Sequence, residues 1–117
     1  MVDNVGLFIV HNGSVAEAGA VENEAYETGT VVYEVLRIVR GVPLFYMDHF
    51  ARLKQSVNAV GKELSLTQGE LKDDIKKLLS ANNADYCNIK VLMTWRDVGA
   101  EQRLVYISKS YYPSQAE

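Results

Sequence analysis

Residues 47–53 read Met-Asp-His-Phe-Ala-Arg-Leu, and the three-residue spacing of His49 and Arg52 puts an imidazole and a guanidinium on one side of a helix. A guanidinium is a rigid fork of donors that fits two phosphate oxygens, and the first turn of a helix adds unpaired backbone N–H groups. Such a turn can hold an anion. On spacing alone it can also be an ordinary solvated surface, as it is for most arginines. A charged His49 would gain nothing from the helix dipole so close to its N-terminus. A neutral, hydrogen-bonding role suits it better.

The other candidate residues suggest less. Glu34 and Arg37 lie on a strand with two largely apolar faces, where a charge must be paired, solvated at an end, or part of a cleft. A structural Glu34–Arg37 pair is the plain reading, and Tyr33 beside them reads as core just as readily. Cys87, the one cysteine, sits inside an apolar strand and reads as a small buried hydrophobe rather than a nucleophile. His11 and His49 carry no metal-ligand spacing, and no glycine-rich phosphate loop pattern occurs.

The elements that must position these residues follow from pattern. Residues 6–18 contain an apolar run, then Asn12-Gly13, then a second run, which is a two-strand hairpin. Residues 19–29 are acidic and aperiodic and read as a loop. Residues 30–40 are rich in β-branched side chains and form the strongest strand, mostly apolar on both faces and so expected to be covered on both sides, at least at its middle. Gly41-Val42 turns the chain into a short strand over residues 43–46. Asp48 is then an N-cap, with Phe50, Leu53, Val57 and Val60 as a helical stripe stopped at Gly61. Thr67 and Glu70 make a capping box, and Leu71, Ile75, Leu78 and Leu79 make the buried stripe of a second helix. Lys72, Asp73, Asp74, Lys76 and Lys77 read mostly as its wet face, and Asn82-Asn83 ends it. Residues 86–95 and 102–108 are two more strands around the loop at 96–101. Segregated strands and helices give an α+β fold: an antiparallel β-sheet of about six strands with two α-helices packed on one face.

Composition sets the outer bounds. The chain has 117 residues, enough for one domain, with 48% hydrophobic and 23% charged residues and a net charge of −3. That balance argues against nucleic acid or a membrane surface as a partner. Without a secretory or membrane-spanning apolar run, a cytoplasmic protein is expected.

Residues 30–53, "TVVYEVLRIVRGVPLFYMDHFARL", resemble the N-terminal domain of the fold-type IV pyridoxal-phosphate enzymes. These include branched-chain and D-amino-acid aminotransferases and aminodeoxychorismate lyase. The matching residues are Gly29, Val32, Tyr33, Glu34, Gly41, His49, Arg52 and Leu53. The resemblance implies that Arg52 binds the phosphate of pyridoxal 5′-phosphate, that His49 supports it, and that Tyr33 lines the substrate side. It implies homodimers acting on small amino acids and keto acids. The family's acid-glycine pair is Thr30-Val31 here, its Asp-Arg-Gly is Asn23-Glu24-Ala25, and its Thr-Arg-Gly is Thr94-Trp95-Arg96; no Arg-x-His pair surrounds Arg103.

In the family, the Schiff-base lysine lies in a C-terminal domain beyond the region these residues resemble. None of Lys54, Lys62, Lys72, Lys76, Lys77, Lys90 and Lys109 matches it. The resemblance thus implies that residues 1–117 are the N-terminal domain of an aminotransferase, branched-chain-like, with the catalytic domain absent and the piece inert alone. The alternatives are an aminodeoxychorismate-lyase-like enzyme and a stand-alone binding or oligomerisation module.

Overall fold

Two tight turns and two capped helices set the architecture. The computed structural model describes residues 4–20, 29–95 and 101–109. Asn12 and Gly13 take φ values of 50° and 89°, the positive pair that a two-residue hairpin turn needs. They close strand β1 (Phe8–His11) on β2 (Ser14–Glu17), with His11 opposite Ser14. Arg40 and Gly41, at 52° and 76°, use the same device to fold β3 (Thr30–Val39) back on β4 (Val42–Pro43). Strands β5 (Tyr86–Trp95) and β6 (Gln102–Ser108) complete an antiparallel sheet in the order β2-β1-β6-β5-β3-β4. The α+β fold with six strands and two helices is as expected. The loop readings at 21–28 and 96–100, and the segment 110–117, fall outside the described residues.

Helix α1 (Tyr46–Ala59) begins earlier than Asp48 implies. The short strand stops at Pro43, the Leu44 N–H bonds to the Arg37 carbonyl, and Phe45 turns the chain with a left-handed φ of 54°. Phe45 is therefore the N-cap, and Asp48 lies in the first turn, where its charge suits the helix dipole. At the other end, the Gly61 N–H bonds to the Asn58 carbonyl and the Lys62 N–H to the Val57 carbonyl, with Gly61 at φ 80°. This is a Schellman closure, which glycine makes at little cost. Leu53 and Val57 are buried as expected, but Val60 falls past the last turn and is exposed; Tyr46 takes a place in the core instead.

Helix α2 (Gln68–Asn82) opens on the expected capping box. The Thr67 hydroxyl accepts from the Glu70 N–H, and the Glu70 carboxylate accepts from the Thr67 N–H. That backbone bond holds the Glu70 carboxyl below its ordinary value. Asn83 closes the helix in the left-handed conformation. No described helix is long and apolar enough to cross a membrane.

Both helices lie on one face of the sheet. Val32, Leu36 and Ile38 of β3 and Ile89, Val91 and Met93 of β5 meet Leu53 and Val57 of α1 and Leu71, Ile75 and Leu78 of α2 in a single buried cluster. Burying each such side chain stabilises by roughly 2 kcal/mol. The opposite face carries a smaller cluster of Ile9, Leu92, Leu104 and Tyr106. Strand β3 is thus not covered on both sides along its length. Its residues alternate between buried and half-exposed, and Tyr33 is 57% exposed, because the helices reach one face only.

Asp74 also departs from its wet-face reading. It is buried, and the Arg103 Nε of β6 donates to its Oδ2 at 2.7 Å. That bond and the neighbouring charge raise the Arg103 pKa further and tie α2 to the sheet. Removing one partner strands a charge in a dry place. Asp74→Ala is expected to lower the unfolding free energy by roughly 3 kcal/mol in urea titration; a loss below about 0.5 kcal/mol would show the pair to be incidental.

Candidate functional site

Strand alternation sends Glu34 to the helix-covered face with Val32 and Leu36, and there it is 6% exposed. A carboxylate in that position must be compensated. Helix α1 crosses above and supplies two partners, His49 and Arg52, whose three-residue separation puts them on the same side of the helix. His49 Nδ1 lies 2.6 Å from Glu34 Oε2. Because a carboxylate oxygen accepts, Nδ1 carries the proton in this pairing. Arg52 Nη1 lies 3.4 Å from the same oxygen.

The two contacts differ in kind. The imidazole is short-bonded and mostly enclosed, with its side chain 16% exposed. The Arg52 side chain is 66% exposed, and its guanidinium touches the carboxylate at one edge only. A pair this open contributes about 0–1 kcal/mol to stability. Asp48 stands one helical turn before Arg52, in the order that usually favours an ion pair. Among the described residues Arg52 pairs with Glu34 instead.

Arg52 does not share its site with the free N–H groups of the helix start. The His49 N–H already bonds to the Phe45 carbonyl, so Arg52 belongs to the second turn. Any anion held here is held mainly by side chains.

Tyr33 is next to Glu34 in sequence and therefore on the reverse face of β3. Its ring is 57% exposed, and the Lys90 ammonium of the neighbouring strand sits 4.9 Å from its centroid. Arg37 shares that face, where its Nη1 donates to Asn88 Oδ1, so the Glu34–Arg37 pair does not form. Residues three apart on a strand point to opposite sides. What sequence reasoning missed is the partner of Glu34. The signal was present in the even-numbered register of Val32, Glu34, Leu36 and Ile38, which marks Glu34 as the one charge on an apolar face.

The remaining reactive groups are quiet. Burial pushes the Cys87 thiol above its ordinary value against a smaller opposing pull from Arg37, which is the reverse of an activated nucleophile. Burial, then Asp74, raises the Tyr46 hydroxyl to about 12. A recess of about 500 Å³ at the end of α2 is lined by Leu79, Ser80, Asn83, Ala84 and Asp85, none of them a member of the Glu34 cluster.

Comparison with known proteins bears on this arrangement. The family described as Amino-transferase class IV matches residues 31–117. A D-alanine aminotransferase of Bacillus licheniformis is 36% identical over 78 residues, covering 63% of this chain and 28% of the relative. The chain therefore spans less than a third of the length of the curated relatives it matches. Among solved structures, the branched-chain amino acid aminotransferase of Escherichia coli superposes with a TM-score of 0.73 at 21% identity, over 87% of this chain and 40% of that one. A hypothetical aminotransferase from Mycobacterium tuberculosis, in its PLP-bound form, gives 0.69 at 19% identity, over 92% of this chain and 40% of that one. At these identities the structural likeness establishes the fold.

The two faces of β3 should respond differently to truncation. Tyr33→Ala is expected to change the unfolding free energy by less than about 1 kcal/mol, whereas Leu36→Ala, 1% exposed, should cost roughly 3 kcal/mol. Equal losses in chemical denaturation would mean that the Tyr33 ring is part of the core.

Proposed function

The chain belongs to the amino-transferase class IV family, and on that premise we propose that residues 1–117 are the N-terminal domain of a pyridoxal 5′-phosphate-dependent aminotransferase. It acts on small amino acids and keto acids, as a cytoplasmic homodimer. Arg52 holds the cofactor phosphate, His49 supports the same helix turn, and Tyr33 forms part of the substrate wall. One observation carries this reading: an arginine side chain 66% exposed on a packed helix, its guanidinium touched at one edge by a buried carboxylate, with most of its donors unspent.

The residues fit a phosphate. Five N–H donors are available on a guanidinium, and among the described residues the Glu34 contact is the one that engages Arg52. The helix beneath is closed at its C-terminal end and buries Leu53 and Val57, so the cation is presented from a packed base. Nearby Asp48 does not claim it. A phosphate can therefore dock on Arg52 without first breaking a strong pair.

The opposite placement of Tyr33 has an explanation in the sheet. Strand β4 pairs with β3 only at Ile38 and Val39, and among the described strands nothing pairs with the outer edge of β3 beside Tyr33 and Glu34. A ligand lying across that edge would meet Arg52 from one face and Tyr33 from the other. When bound, the cofactor supplies the electron sink for amino-group transfer. This chain's residues hold and orient it, and they set the Tyr33 ring on the side open to a substrate.

In this reading the covalent lysine is not among residues 1–117, and the domain is inert by itself. Lys90 is the sharpest test of that statement, since its ammonium lies beside Tyr33. Borohydride reduction of the full-length protein with the cofactor should leave all seven lysines of this chain without stoichiometric label in peptide mapping; label on Lys90 would contradict it. Arg52→Ala should weaken cofactor binding by about 2 kcal/mol, the worth of a charge-assisted contact, in equilibrium dialysis. Undiminished occupancy would remove Arg52 from the site.

A further inference from the structure

We propose that Glu34 is a positioning residue. Fixed by His49, its carboxylate draws the Arg52 guanidinium toward the outer edge of β3 and away from Asp48. The inference rests on the reading of Arg52 as phosphate ligand and adds what makes that ligand available.

Three observations support it. First, Glu34 is the one acidic residue on the helix-covered face of β3, and an aliphatic side chain there would extend the buried cluster of Val32, Leu36 and Ile38. Keeping a carboxylate in that place costs stability unless its partners compensate it. Second, a single oxygen serves both partners: Oε2 takes the 2.6 Å contact from His49 Nδ1 and the 3.4 Å contact from Arg52 Nη1. The short, enclosed contact fixes where the oxygen is, and the long, open one guides the mobile arm. Third, Arg52 has a competing carboxylate at Asp48, one turn back on the same exposed surface, and the described geometry favours Glu34.

Two effects of neutralising Glu34 oppose each other. Removing a negative charge lessens competition for Arg52 and would strengthen phosphate binding. It also frees a long side chain to rotate and to pair with Asp48, an arrangement that faces solvent rather than the strand edge. The first effect is screened because the guanidinium is mostly in water. The second is not screened in the same way, since an arginine arm carries about 2 kcal/mol of rotamer entropy. Loss of orientation should therefore win.

The test compares two probes in the full-length protein: pyridoxal 5′-phosphate and pyridoxal, which lacks the phosphate. The factor by which the phosphorylated probe binds more tightly isolates phosphate recognition from everything else in the pocket. Glu34→Gln keeps the shape and should lower that factor about threefold, the most an exposed pair of this kind usually supplies, with pyridoxal affinity unchanged. His49→Ala should lower it in the same direction. His49→Asn, whose amide N–H can replace the Nδ1–H donor, should restore it. Arg52→Ala provides the control for the underlying reading. If Arg52→Ala leaves the factor unchanged, the phosphate assignment itself fails. If Arg52→Ala lowers it but Glu34→Gln does not, the positioning role fails while the assignment stands. Equal weakening of both probes by Glu34→Gln, or equal effects of Ala and Asn at position 49, would reduce Glu34 to a packing role and overturn the inference.

Discussion

Glu34 is a carboxylate on a face otherwise built of hydrocarbon, and the arrangement of the first helix against the sheet depends on how that charge is met. An unpaired charge there would cost several kcal/mol, a large part of a small domain's stability. The 2.6 Å contact from His49 supplies the compensation. It joins α1 to β3 beside the apolar packing of Leu53 and Val57 on the same sheet face. With His49 turned down onto Glu34, Leu53 and Val57 enter the core and Arg52 is left at the rim.

The domain contains a second arginine–carboxylate pair, and the contrast shows how exposure decides role. Arg103 is 20% exposed, Asp74 is 2% exposed, and the Nε–Oδ2 distance is 2.7 Å. A second contact from Nη2 to Oδ1 and the closeness of the Gly13 turn leave that guanidinium little freedom. It holds α2 against the sheet beside the β1–β2 turn. Arg52 has the same chemistry and the opposite setting: one long contact, and most of its surface in water. The first pair stabilises the domain, and the second leaves most of an arginine side chain in water. The same logic separates the aromatic residues. Tyr46 buries its ring and donates its hydroxyl to the Gln68 carbonyl, while Tyr33 keeps its ring exposed beside Lys90.

Much of this was readable from the sequence, because local rules governed it. Asn12-Gly13 specifies its hairpin, Thr67 and Glu70 specify the start of α2, and the stripe of Leu71, Ile75, Leu78 and Leu79 specifies its buried face. The errors came where tertiary contacts overrode local pattern. Asp48 is a favourable N-cap type, yet the brevity of β4 and the turn at Phe45 start the helix sooner. Asp74 sits among charged neighbours, yet the distant Arg103 draws it inward. The apolar residues on both faces of β3 suggested two covered sides, but two helices suffice for one. Arg52 and His49 were legible as a pair from spacing and from resemblance to a family. Their bond to Glu34 was not, because it joins a strand to a helix across a turn and no short-range rule predicts it.

In the proposed site, Arg52 receives the cofactor's phosphate while Glu34 and His49 keep it in place. A crystal structure of the full-length protein with pyridoxal 5′-phosphate tests it most directly. A phosphate oxygen is expected about 2.8 Å from the Arg52 guanidinium, with the His49–Glu34 bond intact beneath it. A phosphate bound elsewhere, with Arg52 turned to solvent or paired with Asp48, would contradict it.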